Sequence, residues 1–220
     1  MLVRLARKEP SATLLFVQLF SLLLYPFLEG RSVQRSLFSV LGIAILGLVV
    51  LAVRSAPGPT LIGFGLAIPA SVLLLIQAVT GDDALLPYSS AFEAVLYFYA
   101  AGALIAYMLA DHEITRDELF AVGATFTLVA WAFAYSYQVC QAIAPESFTA
   151  AVAPQDPRTW MELLFLSFTT LTSTGLSDVT PIRPFARSLV MVEQLAGLGY
   201  VAIVVSRLVG LTVLRHRDPR

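Results

Sequence analysis

Apolar residues in this chain fall into long unbroken runs, at about 12–28, 37–53, 60–80, 88–110, 118–142 and 185–211. A bilayer core takes about 17 to 25 apolar residues as a helix, so each run predicts one crossing. Turn formers or charge interrupt them at Gly30, Pro57-Gly58-Pro59, Gly81-Asp82-Asp83 and Asp111-His112-Glu113. The gap between the fifth and sixth runs is different in kind. Pro145 to Pro157 is polar and proline-rich, as an exposed turret would be, whereas Arg158 to Thr172 is a mostly apolar stretch of 15 residues. As a helix it reaches about 22 Å, too short to cross, which predicts a re-entrant segment that enters the membrane and turns back. Non-helical backbone at that depth is tolerated only where protein or a water-filled cavity shields it from lipid, so the residues after Thr172 are expected to line something.

Composition agrees with a bilayer setting. The 220 residues are 58% hydrophobic and 13% charged, against about 25% charged in soluble domains, and the mean hydropathy is +0.79. The expected fold class is an all-α membrane protein of six transmembrane helices. A net charge of -1 leaves no basic excess for nucleic acid. The single cysteine, Cys140, has no partner for an intramolecular disulfide or a thiolate metal site. Arg4, Arg7 and Lys8 before the run Ala12 to Leu28 have the order of a signal peptide. That run is too long and lacks a small-residue cleavage site, so it reads as a retained span. Lys and Arg are then counted on the two sides. Arg4, Arg7, Lys8, Arg54, Arg116, Arg207, Arg215, Arg217 and Arg220 share the side of both termini, and Arg31, Arg35, Arg158, Arg183 and Arg187 lie opposite. Nine against five predicts cytoplasmic termini, and the expected location is the bacterial inner membrane.

The segment Thr170-Leu171-Thr172-Ser173-Thr174-Gly175-Leu176-Ser177-Asp178-Val179-Thr180-Pro181 follows the short apolar stretch. Gly175 permits a positive φ, Thr172, Ser173 and Thr174 bring hydroxyls, and a row of main-chain carbonyls of this kind can replace the hydration shell of a cation. The negative C-terminal end of the preceding helix favours a cation at the same place. The segment resembles the selectivity filter T-x-x-T-V-G-Y-G-D-x-x-P of tetrameric P-loop potassium channels. Ser173 stands at the second Thr, Thr174 at Val, Gly175 at the first Gly, Leu176 at Tyr, Ser177 at the second Gly and Asp178 at Asp. The resemblance extends over residues 118–211. The step from the filter aspartate to the inner-helix hinge glycine of two-span channels lands on Gly197, and Arg187 sits where those channels carry a basic residue.

That resemblance implies a homotetramer in membrane lipid that passes K+ by passive conduction, with Na+ as a possible second permeant ion and no cofactor. K+ would be held at Ser173, Thr174, Gly175 and Leu176, within a filter of Thr172 to Asp178. The layout divides at 1–117, a four-helix peripheral domain in the position of a voltage sensor, and 118–220, a pore domain. The latter holds an outer helix 118–142, a pore helix 158–172, a filter 173–178 and an inner helix 185–211. From Tyr88 to Ala110 there is no Lys or Arg, so no charged sensor helix is expected. With about nine residues after the sixth run, no C-terminal ligand-binding domain is expected either. Gating is left to the filter, lipid, tension, pH or a separate regulatory subunit. In the usual filter both glycines help the chain alternate its conformation. A left-handed serine at Ser177 would cost roughly 1 kcal/mol, and Leu176 lacks the phenolic hydroxyl that tethers the filter. Both changes point to weaker discrimination between potassium and sodium. Ser173-Thr174-Gly175-Leu176 is also similar to the single-glycine pore loops of Trk/Ktr/HKT transporters, which string four repeats along one chain where this one has a single repeat.

Several residues carry two readings. Glu193, a costly charge inside the sixth run, either hydrogen-bonds the back of the pore helix near Thr169 or Thr170 or senses protons in gating. Gly197, with Gly199, is a hinge or a site of close helix packing. Val201 and Val205 continue the Glu193–Gly197 stripe as an apolar gate ring or as packing. Asp178 concentrates cations at the outer mouth or forms a turn before Pro181. Glu162 reads as a helix cap, Glu93 as a group near the outer interface, and His112 as a solvated loop residue. An intramembrane hydrolase built on Ser167, Ser173 or Ser177 lacks a base, because His112 and His216 lie on the opposite side. Enzymatic activity is therefore not expected. A weakly selective monovalent cation channel and a non-conducting channel subunit stand as the alternatives.

Overall fold

The computed structural model describes residues 10–28, 42, 45–50, 60–81, 83–110 and 115–217. Helices dominate: α1 Pro10–Leu28, α2 Thr60–Thr80, α3 Leu86–Leu109, α4 Arg116–Ile143, α5 Trp160–Leu171 and α6 Pro184–Arg217. Among the described residues four helices are long and apolar enough to cross a membrane, over Leu61–Thr80, Leu86–Leu109, Arg116–Ile143 and Pro184–Arg207. The first apolar run forms α1, a 19-residue helix. The second run, 37–53, enters the described residues only as residue 42 and a helical stretch at 45–50, and the linker at 111–114 with His112 lies outside them.

The chain divides into two compact units, and the division falls inside α4, between Ala132 and Phe133. The first unit joins α1, α2, α3 and the first half of α4. Asp117 in the first turn of α4 accepts from both the backbone N–H and the hydroxyl of Ser11, at 3.1 and 2.9 Å, and so satisfies an orphan donor at the start of α1. α2 and α3 pack as neighbours joined by the buried bond Gln77 Nε2 to Ser89 Oγ at 2.9 Å. Tyr97 meets Trp131 edge-on, their ring centres 5.9 Å apart. Small residues, Ala121, Ala124 and Ala130, are wholly buried along α4, as close helix packing in membranes requires. Glu93 is buried.

The second unit contains α5, which runs from Trp160 to Leu171 inside the predicted 158–172, and at 12 residues reaches about 18 Å. Its start is built as a capping box. Thr159 Oγ1 accepts from Glu162 N at 3.3 Å, and Glu162 Oε2 accepts from Thr159 N at 2.6 Å. Just ahead of it Arg158 is buried, and its guanidinium donates to the carbonyls of Val152, Ala153 and Asp156 and to Glu162 Oε1. Gln141 near the end of α4 brackets the backbone of Arg158, accepting from its N–H at 2.7 Å and donating to its carbonyl at 3.0 Å. A long-range clamp thus sets where α5 begins.

One feature departs from an all-helical chain. Phe148–Ala150 (β1) and Val179–Pro181 (β2) form an antiparallel ribbon in register Phe148↔Pro181, Thr149↔Thr180 and Ala150↔Val179. The segment expected as an exposed turret is therefore stitched to the chain that follows the candidate filter, and Ile182 N donates to Ser147 O at 2.8 Å to extend the seam. Three-residue strands carry no hydropathy signature, so no periodicity announces them.

If the Thr159 cap sets the start of α5, Thr159→Ala should lower the unfolding stability of the purified protein by about 1 kcal/mol while Thr159→Ser keeps it. Thermal unfolding in detergent reads the difference, and equal midpoints for all three chains would show that the cap contributes nothing.

Candidate functional site

Helix α5 ends at Leu171, and its last carbonyls need partners. The next residues supply them. Thr172 stays right-handed at φ -80 and ψ -5 and donates its N–H to Phe168 O at 3.0 Å. Ser173 turns left-handed at φ 58 and donates to Thr170 O at 2.9 Å. Thr174 and Gly175 both donate to Thr169 O, at 2.9 and 3.1 Å, and Gly175 is left-handed again at φ 65. Left-handed residues at 173 and 175 flanking Thr174 fold the N–H groups into a nest around an electronegative atom, and here that atom is the carbonyl oxygen of α5 itself.

Peptide planarity then dictates the other face. In a trans peptide the N–H of one residue and the C=O of the preceding one point in opposite directions, and no cis bond occurs among the described residues. With the N–H groups of Ser173, Thr174 and Gly175 aimed at the end of α5, the carbonyls of Thr172, Ser173 and Thr174 face away from it. Three successive oxygens are thereby displayed on the exposed side of the loop. The side chains brace the turn: Thr172 Oγ1 donates to Phe168 O at 2.7 Å and lies 3.0 Å from Thr174 Oγ1.

The left-handed serine is Ser173 and not Ser177. Ser177 has no positive φ among the described residues, and its Oγ accepts from Val179 N at 3.1 Å in a local turn. The position aligned with the second filter glycine thus avoids the strain expected there, because its hydroxyl favours a turn into β2. Leu176 is 77% exposed and Asp178 is exposed beside it, directly before β2. Arg187 Nε donates to Pro181 O at 3.2 Å, which ties the start of α6 to the end of that strand.

Glu193 is completely buried. Its carboxyl accepts from Ser167 Oγ on α5 and from Tyr137 Oη on α4. Its partner on α5 is therefore Ser167, two residues before the nearer of the two threonines expected. Ser167, weighed above as a nucleophile, is itself buried and gives its hydroxyl to this bond. One helical turn along α6, Gly197 presents bare backbone to the end of α5: a Cβ placed there would lie 2.1 Å from the Leu171 carbonyl oxygen and 2.8 Å from its carbon. A Cβ on Gly199 would meet nothing within 4 Å. Val201 and Val205 lie further along α6, each about half exposed in the single chain. Sequence reasoning did not single out Tyr137, Gln141 or Arg158. The pairs Gln141–Arg158 and Tyr137–Glu193 join residues 17 and 56 positions apart, and local pattern carries no sign of such pairs.

A family model described as an ion channel matches residues 94–213, from within α3 to near the end of α6. No curated protein and no solved structure matches the chain.

The contrast between the two glycines is testable. Gly197→Ala forces a methyl into a carbonyl and should destabilise the protein by about 1 to 3 kcal/mol, whereas Gly199→Ala should be neutral or slightly stabilising. Thermal unfolding of the two variants side by side decides it, and equal tolerance of both would remove the close contact at Leu171.

Proposed function

The chain belongs to the ion channel family, and from that premise we propose that it is a passive, potassium-permeable cation channel in which four copies surround one axis. The observation that carries this reading is the loop after α5, with three consecutive carbonyls turned away from the helix that holds their amides. Rings of such oxygens replace the hydration shell of a cation. A single chain supplies only one side of a ring, and closed symmetry of identical copies supplies the rest. Exposure fits that assembly: Thr172 to Leu176 are all exposed in the isolated chain, and so are apolar residues along α6 such as Leu195 and Leu198.

In this reading K+ is the cargo, held at Ser173, Thr174, Gly175 and Leu176, and Asp178 at the mouth raises the local cation concentration. Val201 and Val205, further along α6, line the inner path, and Gly197 packs against the end of α5. The six-segment layout, the re-entrant course of α5 and the inner-membrane location with cytoplasmic termini belong to the same proposal. α3 carries no Lys or Arg, so voltage is not expected to act through it. Weak selectivity is the second reading, favoured by the end of the left-handed alternation at Gly175 and by the exposed Leu176 in place of a tethered aromatic.

Flux from liposomes loaded with potassium and bathed in sodium tests the proposal. Gly175→Ala puts a side chain at φ 65, a strain of roughly 1 to 2 kcal/mol, and should slow potassium efflux by about fivefold or more. Asp178→Asn should lower flux chiefly at low ionic strength, where an unscreened carboxylate acts furthest. Equal potassium and sodium flux would establish the weakly selective reading. No flux from either protein would remove the conduction reading and leave a non-conducting subunit, and identical flux from native and Gly175→Ala protein would remove Gly175 from the conduction path.

A further inference from the structure

An apolar residue at position 193 would pack inside the membrane at far less cost than a carboxylate. Glu193 is nevertheless completely buried there, and among the described residues its carboxyl bonds two hydroxyls, one from α5 and one from α4. No Lys or Arg among the described residues forms an ion pair with it. Its location explains what this achieves. Ser167 and Leu171 are one helical turn apart on α5, and Glu193 and Gly197 are one turn apart on α6. The carboxyl meets the first of the α5 pair, and the bare backbone of Gly197 meets the second. Helix α6 therefore grips the last turn of α5 at two successive points, the second at the residue directly before Thr172.

We propose that Glu193 is a positioning residue for the filter, holding α5 at one rotation about its own axis and so aiming the carbonyls of Thr172, Ser173 and Thr174. The proposal rests on the conduction reading for its functional consequence. The filter amides hang from the carbonyls of Thr169 and Thr170, so a rotation of α5 turns the nest and the oxygens behind it together. Gly197 sets how close the two helices approach, but a bare backbone contact does not resist sliding or rotation. Directional hydrogen bonds do, because they weaken steeply when donor and acceptor leave alignment. Tyr137 anchors the other carboxyl oxygen to α4, which keeps Glu193 from following α5. Movement of α6 is thereby transmitted to the filter through this carboxyl.

Three variants in lipid nanodiscs and liposomes separate positioning from simple packing. Glu193→Leu keeps the volume and removes both bonds, Ser167→Ala removes the tie to α5 and leaves Tyr137 on Glu193, and Glu193→Gln keeps one acceptor oxygen and offers its amide to the other hydroxyl. The two readouts are hydrogen exchange of the amides of Ser173, Thr174 and Gly175, and the potassium-to-sodium flux ratio. Glu193→Leu and Ser167→Ala should each speed exchange at those three amides by about tenfold, the scale of one lost buried hydrogen bond, and lower the flux ratio. Glu193→Gln should restore both toward native values. Unchanged exchange at the filter amides in folded variants would overturn the proposal, as would a uniform rise along α4 and α6. Should Glu193→Leu not fold, Ser167→Ala gives the answer alone. Absence of cation flux from the native protein would remove the conduction reading, and the exchange data would then decide the positioning claim by themselves.

Discussion

The constraint on which this molecule depends is the need of backbone polar groups for partners where water is scarce. Helix α5 ends after twelve residues and leaves carbonyls exposed at Phe168, Thr169 and Thr170. The loop that follows satisfies them with its own amides, which is possible only if the chain takes left-handed turns at Ser173 and Gly175. Once the amides are committed, planar peptides leave the carbonyls no choice of direction. A display of oxygens toward the open side is thus a by-product of capping a helix.

The remainder of the second unit holds that one helix still. At its start Arg158 gathers the carbonyls of Val152, Ala153 and Asp156, and Ala153 takes φ 47 to present its oxygen. A positive φ at alanine costs about 1 to 2 kcal/mol, and the charge-assisted bonds of a buried guanidinium are of a size to offset it. Along its flank α5 is held by Glu193 and by the naked backbone of Gly197. Beyond its end, the ribbon of Phe148–Ala150 with Val179–Pro181 fixes the chain that leaves the loop. Start, side and exit are therefore each set by a different kind of interaction: a cation among carbonyls, a carboxyl between hydroxyls, and a strand ladder.

The same economy explains why buried polar groups sit where they do. Asp117 on α4 closes the start of α1, Gln77 joins α2 to α3, and Glu193 joins three helices of the second unit. In each case a polar side chain replaces water for a group on another segment, which gives the association a register that apolar packing alone leaves loose.

Run length and composition were enough to place α1 through α4 and α6, because a helix satisfies its own backbone and needs only some twenty apolar residues to be stable in lipid. The capping role of Glu162 was legible for a similar reason, since its partner lies within one turn. Gly175 was legible because only glycine takes a left-handed conformation freely. The second left-handed residue was not: nothing local distinguishes Ser173 from Ser177, and the choice follows from which amide reaches the carbonyl of Thr170 and which hydroxyl faces Val179. The partners of Glu193, the clamp on Arg158, the ribbon and the contact of Gly197 with Leu171 were likewise decided by tertiary structure. They join residues 17 to 56 positions apart, and the pairing is selected by how helices of known length pack, which no pattern within a single segment records.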